Sequence, residues 1–558
     1  EVTVSLDAYF GSWLNFEDEV TYPFWRGYFQ DNYPSFYDLA SGDLNGDGKT
    51  DLASVFYHQD YLGYEITYIE IVLNNDQAFP YFNPEDGFDW NEVMYDVPGY
   101  VFLTNLPLAE YSSWNWEWPY EVKEIAMADF NNDNLDDIII NLGGQAILVV
   151  WGDSELDATG YNEIDLGGIV DGDSSKGILI NFADVFDGYT WLSMEVGDIN
   201  NDGYADIILG DDYGEQIYVI RGQADSAYTD AVMNLGDLST QLISQMAYGG
   251  DFGEYVTLGD FNGDGYLDLA TADPDANSGG VERGEVYIYY GGFSGLSSVP
   301  SITITGIDNW RIGDLGVVNL GDINADGRDD LGFADTDGWF FIFWGSDLPA
   351  FQQQSSYDFN SAADAAFFSA FALFENSGYP NVVALGDVNG DGYDDVAVST
   401  TDSFSDNLLS PVFSGLSNLN GIVYLIYGQS NWQTADSFTY ESIDQLNHLA
   451  IKAGTTWGSQ PLVFALGDWT QDGMPDFGFT QTDSENGYWR GENFLRIWTG
   501  TNSDFYMEGF PVKLDQLTFS VYENQAGVNL GPLSTEDGSD INSYRVVLDK
   551  GIYGDTLD

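Results

Sequence analysis

The chain has 558 residues, of which 92 are acidic and 14 are Lys or Arg, giving a formal charge of −78, and it contains no cysteine. That balance excludes nucleic acid as a partner, and the missing cysteine excludes a disulfide framework and thiol chemistry. A hydrophobic content of 44% with 16% aromatics is enough for a large core, so the acid reads as a solvated surface suited to saline surroundings, where self-repulsion is screened.

In chain order, VTVSLDA at residues 2–8 alternates apolar and polar side chains as a strand does. Seven related stretches follow: GDLNGDGKTD from Gly42, ADFNNDNLDD from Ala128, GDINNDGYAD from Gly197, GDFNGDGYLD from Gly259, GDINADGRDD from Gly321, GDVNGDGYDD from Gly386 and GDWTQDGMPD from Gly467. Each places oxygen-bearing side chains at positions 1, 3, 5 and 9 with a turn residue at position 6. That is the spacing of an oxygen cage for a hard cation such as Ca²⁺, with the residue at position 7 contributing its main-chain carbonyl.

The candidate ligands are Asp43, Asn45, Asp47, Lys49 and Asp51 in loop one, and Asp129, Asn131, Asp133, Leu135 and Asp137 in loop two. Loop three supplies Asp198, Asn200, Asp202, Tyr204 and Asp206, and loop four Asp260, Asn262, Asp264, Tyr266 and Asp268. Loop five supplies Asp322, Asn324, Asp326, Arg328 and Asp330; loop six Asp387, Asn389, Asp391, Tyr393 and Asp395; loop seven Asp468, Thr470, Asp472, Met474 and Asp476. Up to seven Ca²⁺ are expected. An EF-hand would need glutamate at position 12 and a helix beyond it, whereas loop four has Thr271 there and continues as LDLATA, which alternates like a strand. For a single copy, an Asx-rich turn that holds no metal is the alternative. Seven copies make a repeat architecture.

The first aspartates are separated by 86, 69, 62, 62, 65 and 81 residues, a period that fits one four-stranded sheet with its loops. Four and two residues before them stand mostly apolar side chains, such as Val256 and Leu258 or Val383 and Leu385, marking a strand that enters the loop. A second strand leaves it (DLASVF, DIIIN, DIILG, DLATA, DLGFA, DVAVS, DFGFT), and a third follows, usually ending in glycine (AILVVWG, IYVIRG, FFIFWG). YVFLTN, NEIDLGG, AVMNLG, SITITG and SFTYES are the expected fourth strands. The predicted fold is all-β: a seven-bladed β-propeller over residues 1–510, built of four-stranded antiparallel blades with calcium-binding hairpin loops.

FGEYVTLGDFNGDGYLDLATADP, residues 252–274, resembles the FG-GAP repeat of integrin α-subunit propellers and their bacterial relatives. The resemblance implies calcium in the hairpin loops and an N-terminal strand that completes the last blade, a place residues 2–8 would take. Only the fourth repeat keeps both signatures; Trp457–Gly458 and Ile312–Gly313 are partial echoes, Asn134 replaces the glycine of loop two, and Thr470 replaces the amide of loop seven. Farther on, LTFSVYENQAGVNLGPLSTEDGSD at residues 517–540 resembles the opening of a bacterial cadherin-like domain, which implies a partial β segment over 515–558 with Glu523 and Asp537 near an interdomain calcium. An ordinary β tail is the alternative. About 40 residues are too few for a complete sandwich, so the expectation is one end of a longer modular surface protein.

No apolar run long enough to span a membrane is present. The chain begins at Glu1 without a signal peptide, and a processed, secreted or cell-surface protein is expected. The only histidines are His58 and His448, so a histidine-rich zinc site cannot be assembled and a Ser-His-Asp triad would need one of these two; paired carboxylates remain open but are not diagnostic among 92 acids, and no enzyme is expected. If the calcium loops join strands one and two, the opposite face receives Tyr57, His58, Tyr61 and Tyr64 from blade one, Trp114, Trp116, Trp118 and Tyr120 between blades one and two, and Tyr488, Trp489 and Arg490 from blade seven. Tyr61, Trp114, Trp116, Trp118, Tyr488, Trp489 and Arg490 are the candidate ligand-binding residues, aromatic rings being suited to sugar faces and protein anchors. Packing between blades is the alternative reading. The expected function is adhesion or matrix binding, the partner being an extracellular protein, a glycan, a matrix ligand or further copies of the chain. A lectin, a fibre subunit and a polysaccharide lyase are the alternatives.

Overall fold

The computed structural model describes residues 21–22, 35–59, 65–74, 99–104, 122–160, 162–182, 192–211, 214–224, 227–228, 230–238, 240–244, 251–276, 283–307, 310–335, 339–345, 355–358, 368–372, 381–400, 420–430, 448–454, 461–484 and 491–498. Among them the fold is all-β, and helix is limited to short single turns such as Gly167–Val170.

Six four-stranded antiparallel meanders and a seventh, three-stranded unit are traced among the described residues. Unit one comprises Ser35–Gly42, Asp51–Gln59, Glu65–Val72 and Tyr100–Thr104. Unit two comprises Glu124–Ala128, Asp137–Asn141, Ala146–Val150 and Gly177–Asn181. Unit three comprises Leu192–Gly197, Asp206–Asp211, Gln216–Ile220 and Thr240–Ser244. Unit four comprises Val256–Gly259, Asp268–Asp273, Glu285–Tyr289 and Ile302–Thr305. Unit five comprises Val317–Asn319, Leu331–Ala334, Trp339–Phe343 and Phe368–Ala372. Unit six comprises Asn381–Gly386, Asp395–Thr400, Asn420–Ile426 and His448–Gly454. Unit seven comprises Val463–Gly467, Asp476–Ser484 and Gly491–Trp498, and Thr21–Tyr22 from the start of the chain pairs with its third strand. A single parallel pair, Gly454 with Thr482, links units six and seven into one eight-stranded sheet.

The apolar runs in the second strands follow from burial on both faces. Ile138 and Ile140 pack toward unit one while Ile139 between them packs toward unit three, and Ile207 and Leu209 likewise face unit two while Ile208 faces unit four. A strand covered on both sides has no polar face to alternate with. The result is a series of cores between consecutive units, and one of them joins Leu39, Leu52 and Val72 of unit one to Leu466 and Trp469 of unit seven. Each first strand touches the first strand of the next unit, and that of unit seven touches that of unit one.

Two strand expectations are corrected. Asn162–Asp165, within NEIDLGG, is not the fourth strand of unit two but pairs in parallel with the fourth strand of unit one. Val232–Asn234, within AVMNLG, pairs in parallel with the fourth strand of unit two. Ser356–Asp358 does the same for unit four. The physical reason is the outer edge of a meander, whose unpaired N–H and C=O groups accept a passing segment as a fifth strand. SFTYES lies outside the described residues, as do residues 2–8, whose expected place at the last unit's edge is held among the described residues by Thr21–Tyr22.

Candidate metal loops and an acidic cavity

Every unit has its acidic hairpin loop between strands one and two, and the seven loops share one conformation. Position 6 is left-handed throughout, at Gly48, Asn134, Gly203, Gly265, Gly327, Gly392 and Gly473, with φ between 68° and 92°. Asn134 stands in for glycine there because Asn tolerates this region. Position 4 is left-handed as well, with φ between 56° and 72°, at Gly46, Asn132, Asn201, Gly263, Ala325, Gly390 and Gln471. Sequence reading missed position 4, because its residue types vary.

The position-1 aspartate organises the turn. In all seven loops its Oδ1 accepts the N–H of position 5 and its Oδ2 that of position 6, at 2.7–3.2 Å. The position-9 aspartates, Asp51, Asp137, Asp206, Asp268, Asp330, Asp395 and Asp476, are all 0% exposed. In units one to six one oxygen of this group accepts the N–H that ends the third strand, from Asn74, Gly152, Gly222, Gly291, Gly345 and Gly428 at 2.8–3.0 Å. Crowding by backbone oxygens explains the glycine of units two to six. A Cβ at Gly152 would stand 2.8 Å from the Asp136 carbonyl and 2.9 Å from that of Leu44, a residue of the preceding loop.

The loops are also tied to one another. The N–H of Asp136 donates to Asp43 O at 2.9 Å while Asp136 Oδ2 accepts the N–H of Asp43 at 2.7 Å. The same exchange links Asp329 with Asp260 and Asp394 with Asp322. Arg328 Nε reaches Asn262 O at 3.2 Å across the same seam.

Burial pushes the carboxyls of Asp137, Asp268 and Asp395 up to about 8 and that of Asp51 to about 7, with backbone N–H donors opposing the rise. Asp206 rises less, to about 6: burial raises it, and Arg221 Nη1 at 3.1 Å draws it back. These are buried carboxylates short of countercharge. Their fit to a hard cation has one further mark: Asn200 Oδ1, at position 3 of loop three, is buried without a hydrogen-bond partner among the described residues. Among those residues no three Asp, Glu or His side chains are arranged to hold a metal by themselves. A loop of this kind also draws on an Asn oxygen and the position-7 carbonyl.

The positions between the apolar residues of the first strands carry a second group of acids that sequence reading passed over. Asp38, Glu124 and Glu195, from units one, two and three, line a cavity of ≈ 460 Å³ beside Lys123, Met127 and Met194. Their only sequence signal was an acid in an otherwise apolar strand, five or three residues before a loop. Tyr61, Tyr64, Trp114, Trp116, Trp118, Tyr120, Tyr488, Trp489 and Arg490 lie outside the described residues, as do Glu523 and Asp537.

Comparison with known proteins identifies the repeats. Residues 198–271 and 260–333 match the FG-GAP-like repeat and residues 379–425 the FG-GAP repeat, so these segments are similar to FG-GAP repeats. It is 32% identical over 153 residues to integrin alpha-4 of Xenopus laevis, covering 26% of this chain and 14% of that protein. It is 45% identical over 75 residues to the phosphatidylinositol-glycan-specific phospholipase D of Mus musculus, covering 13% of this chain and 9% of that protein. The chain thus spans a small part of either relative. Among solved structures, BBS1N in complex with ARL6DN aligns with a TM-score of 0.39 at 9% identity over 84% of this chain and 95% of that one. Among the described residues no helix is long and apolar enough to cross a membrane.

Proposed function

We propose that the seven units close into a seven-bladed propeller whose hairpin loops hold Ca²⁺, and that this disc is an extracellular or cell-surface binding module for adhesion or matrix contact. The observation that carries the reading is the common hydrogen-bonded frame of the loops, repeated with position 9 buried each time. Closure is supported by the core between units seven and one and by the contact of their first strands. In each loop the ligands would be the side chains of positions 1, 3, 5 and 9 and the carbonyl of position 7, all hard oxygens. Ca²⁺ there would supply the positive charge that the buried aspartates lack and would hold neighbouring units together through the seam between loops. Propellers host many activities, so function rests on surface loops. Trp114, Trp116, Trp118, Tyr61, Tyr488 and Trp489, with the cationic Arg490, are the proposed ligand face, and the partner is an extracellular protein, glycan or matrix component. The similarity to integrin alpha-4 favours a binding module over a catalyst.

The test is solid-phase binding of the whole chain to panels of extracellular proteins and glycans, in calcium and in EDTA. Saturable capture by a defined ligand that EDTA abolishes supports the reading. Capture that ignores EDTA, or none at all, contradicts it.

A further inference from the structure

The connection between the third and fourth strands of a unit covers the outer edge of the preceding unit. Asn162–Asp165 does so for unit one, Val232–Asn234 for unit two and Ser356–Asp358 for unit four, each in parallel with the fourth strand. The corresponding connection of unit four, residues 290–301, forms no strand. It leans on unit three all the same. Arg221 Nη2 donates to Ser294 O at 3.3 Å and Gln241 Nε2 to Leu296 O at 2.8 Å, and Leu296 is buried in the core between units three and four. Thr240–Ser244, the fourth strand of unit three, is therefore the end of its sheet among the described residues.

Neither charge, proline nor a bulge protects this edge: the strand reads TQLIS, and its register with Gln216–Ile220 is regular. In a chain with 92 acids, residues 238–250 and 286–307 carry no charge, and Arg221, which reaches the loop, is paired with Asp206. Large apolar side chains are exposed at four of the described residues, and three of them are here, Phe293 at 83%, Val299 at 65% and Leu242 at 50%. Phe293 and Leu242 adjoin Ser294 and Gln241, the residues that tie loop to strand. An exposed apolar patch of this kind marks a contact surface, and charge decides its occupant. Two chains of −78 repel wherever their carboxylates meet, whereas a patch without charge lets a second copy approach at little electrostatic cost. We propose that Thr240–Ser244 pairs with the same strand of a second copy, antiparallel about a two-fold axis at Leu242, with Phe293 and Val299 at the border of the contact. Such an interface is self-complementary, and an edge of five residues makes a weak dimer whose population depends on concentration. It does not rest on what the hairpin loops bind.

The test is sedimentation velocity of the whole chain over a range of concentrations, with calcium saturating, at about 0.1 M and about 1 M NaCl, between which the Debye length falls from ~10 Å to ~3 Å. The expected result is a monomer–dimer equilibrium that the higher salt shifts toward the dimer. Leu242→Lys, which sets two ammonium groups opposite each other, should weaken the dimer about tenfold or more with the melting temperature unchanged. Ser154→Lys, at an exposed turn of unit two, should not weaken it. Because the chain has no cysteine, Leu242→Cys gives a second readout: in oxidised glutathione it should form a disulfide-linked dimer faster than Ser154→Cys does. A monomer at every concentration at the higher salt, or a dimer that Leu242→Lys leaves as tight as the parent, overturns the proposal. If Leu242→Lys lowers the melting temperature, the cross-link decides, and equal rates for the two cysteine variants contradict pairing at Leu242.

Discussion

Asn74 Nδ2 donates to the main-chain carbonyl of Trp469 at 2.8 Å, joining residues 395 positions apart in the chain. Asn74 occupies the place that glycine takes in units two to six, and Trp469 is position 2 of the seventh loop. Between units one and two and between units five and six a backbone N–H serves this place, from Asp153 to Leu44 O and from Gln429 to Ile323 O; between units seven and one an amide side chain does. Nearby, Gln471 Nε2 reaches Gly48 O at 3.4 Å.

Asn74→Gly should therefore restore the residue of the other units and yet lower stability, by about 1–3 kcal/mol, because the buried Trp469 carbonyl loses its donor. Melting and hydrogen exchange in the first strands of units one and seven check this. Unchanged exchange there would show that the bond contributes nothing to the seam.

Adjacent glycines offer an internal control. A Cβ at Gly291 would run into the Leu267 carbonyl, whereas one at Gly292 meets nothing within 4 Å. Gly291→Ala should cost about 1–3 kcal/mol by forcing the backbone apart, and Gly292→Ala should change the melting temperature little. Equal shifts would refute the close approach at the end of the third strand.

Much of this arrangement was legible beforehand for a physical reason. Loop residues such as Asp260 and Asp268 are fixed in type by the turn they make, and repetition multiplied the signal seven times. Both-face burial likewise wrote itself into DIIIN and AILVV as unbroken apolar runs. The outer strands were harder. NEID was misassigned because a short polar-apolar segment at an edge reads the same whether it closes its own unit or covers the preceding one. The cavity acids were missed because an acid such as Glu195 in a strand looks like an exposed position until a neighbouring unit encloses it. The ligand-face aromatics lie outside the described residues and remain a reading of sequence.

Ala325 is the one non-polar side chain that holds the left-handed position 4, at φ 56°. A residue with a Cβ costs roughly 1 kcal/mol there relative to glycine. Ala325→Gly should accordingly raise stability by up to about that amount, while the same change in a right-handed exposed turn lowers it. A fall in melting temperature would contradict the shared loop conformation.

Burial raises Asp38 to about 7 and Glu195 to about 8, with Asp38 adding to the rise at Glu195 and two backbone N–H groups opposing the rise at Asp38. For an acid whose folded value exceeds the unfolded one, the folded state binds more protons in between, so stability falls as pH rises. The loss begins above the ordinary carboxylate range near pH 4 and is complete once pH passes about 8. Melting temperature in saturating calcium should fall over that window, and less steeply in Glu195→Gln, whose amide does not titrate. A slope equal to that of the parent chain would mean that Glu195 titrates normally.

The central claim is that calcium in the hairpin loops holds the units together. Metal content of the purified chain by mass spectrometry, paired with melting in calcium and in EDTA, tests it most directly. Since an ion held at 100 times its dissociation constant adds about 2.7 kcal/mol, several filled loops should give several Ca²⁺ per chain and a large drop in melting temperature on chelation. Fewer than about three ions per chain together with a melting temperature indifferent to EDTA would contradict the account, because sites contributing that much cannot be emptied without effect.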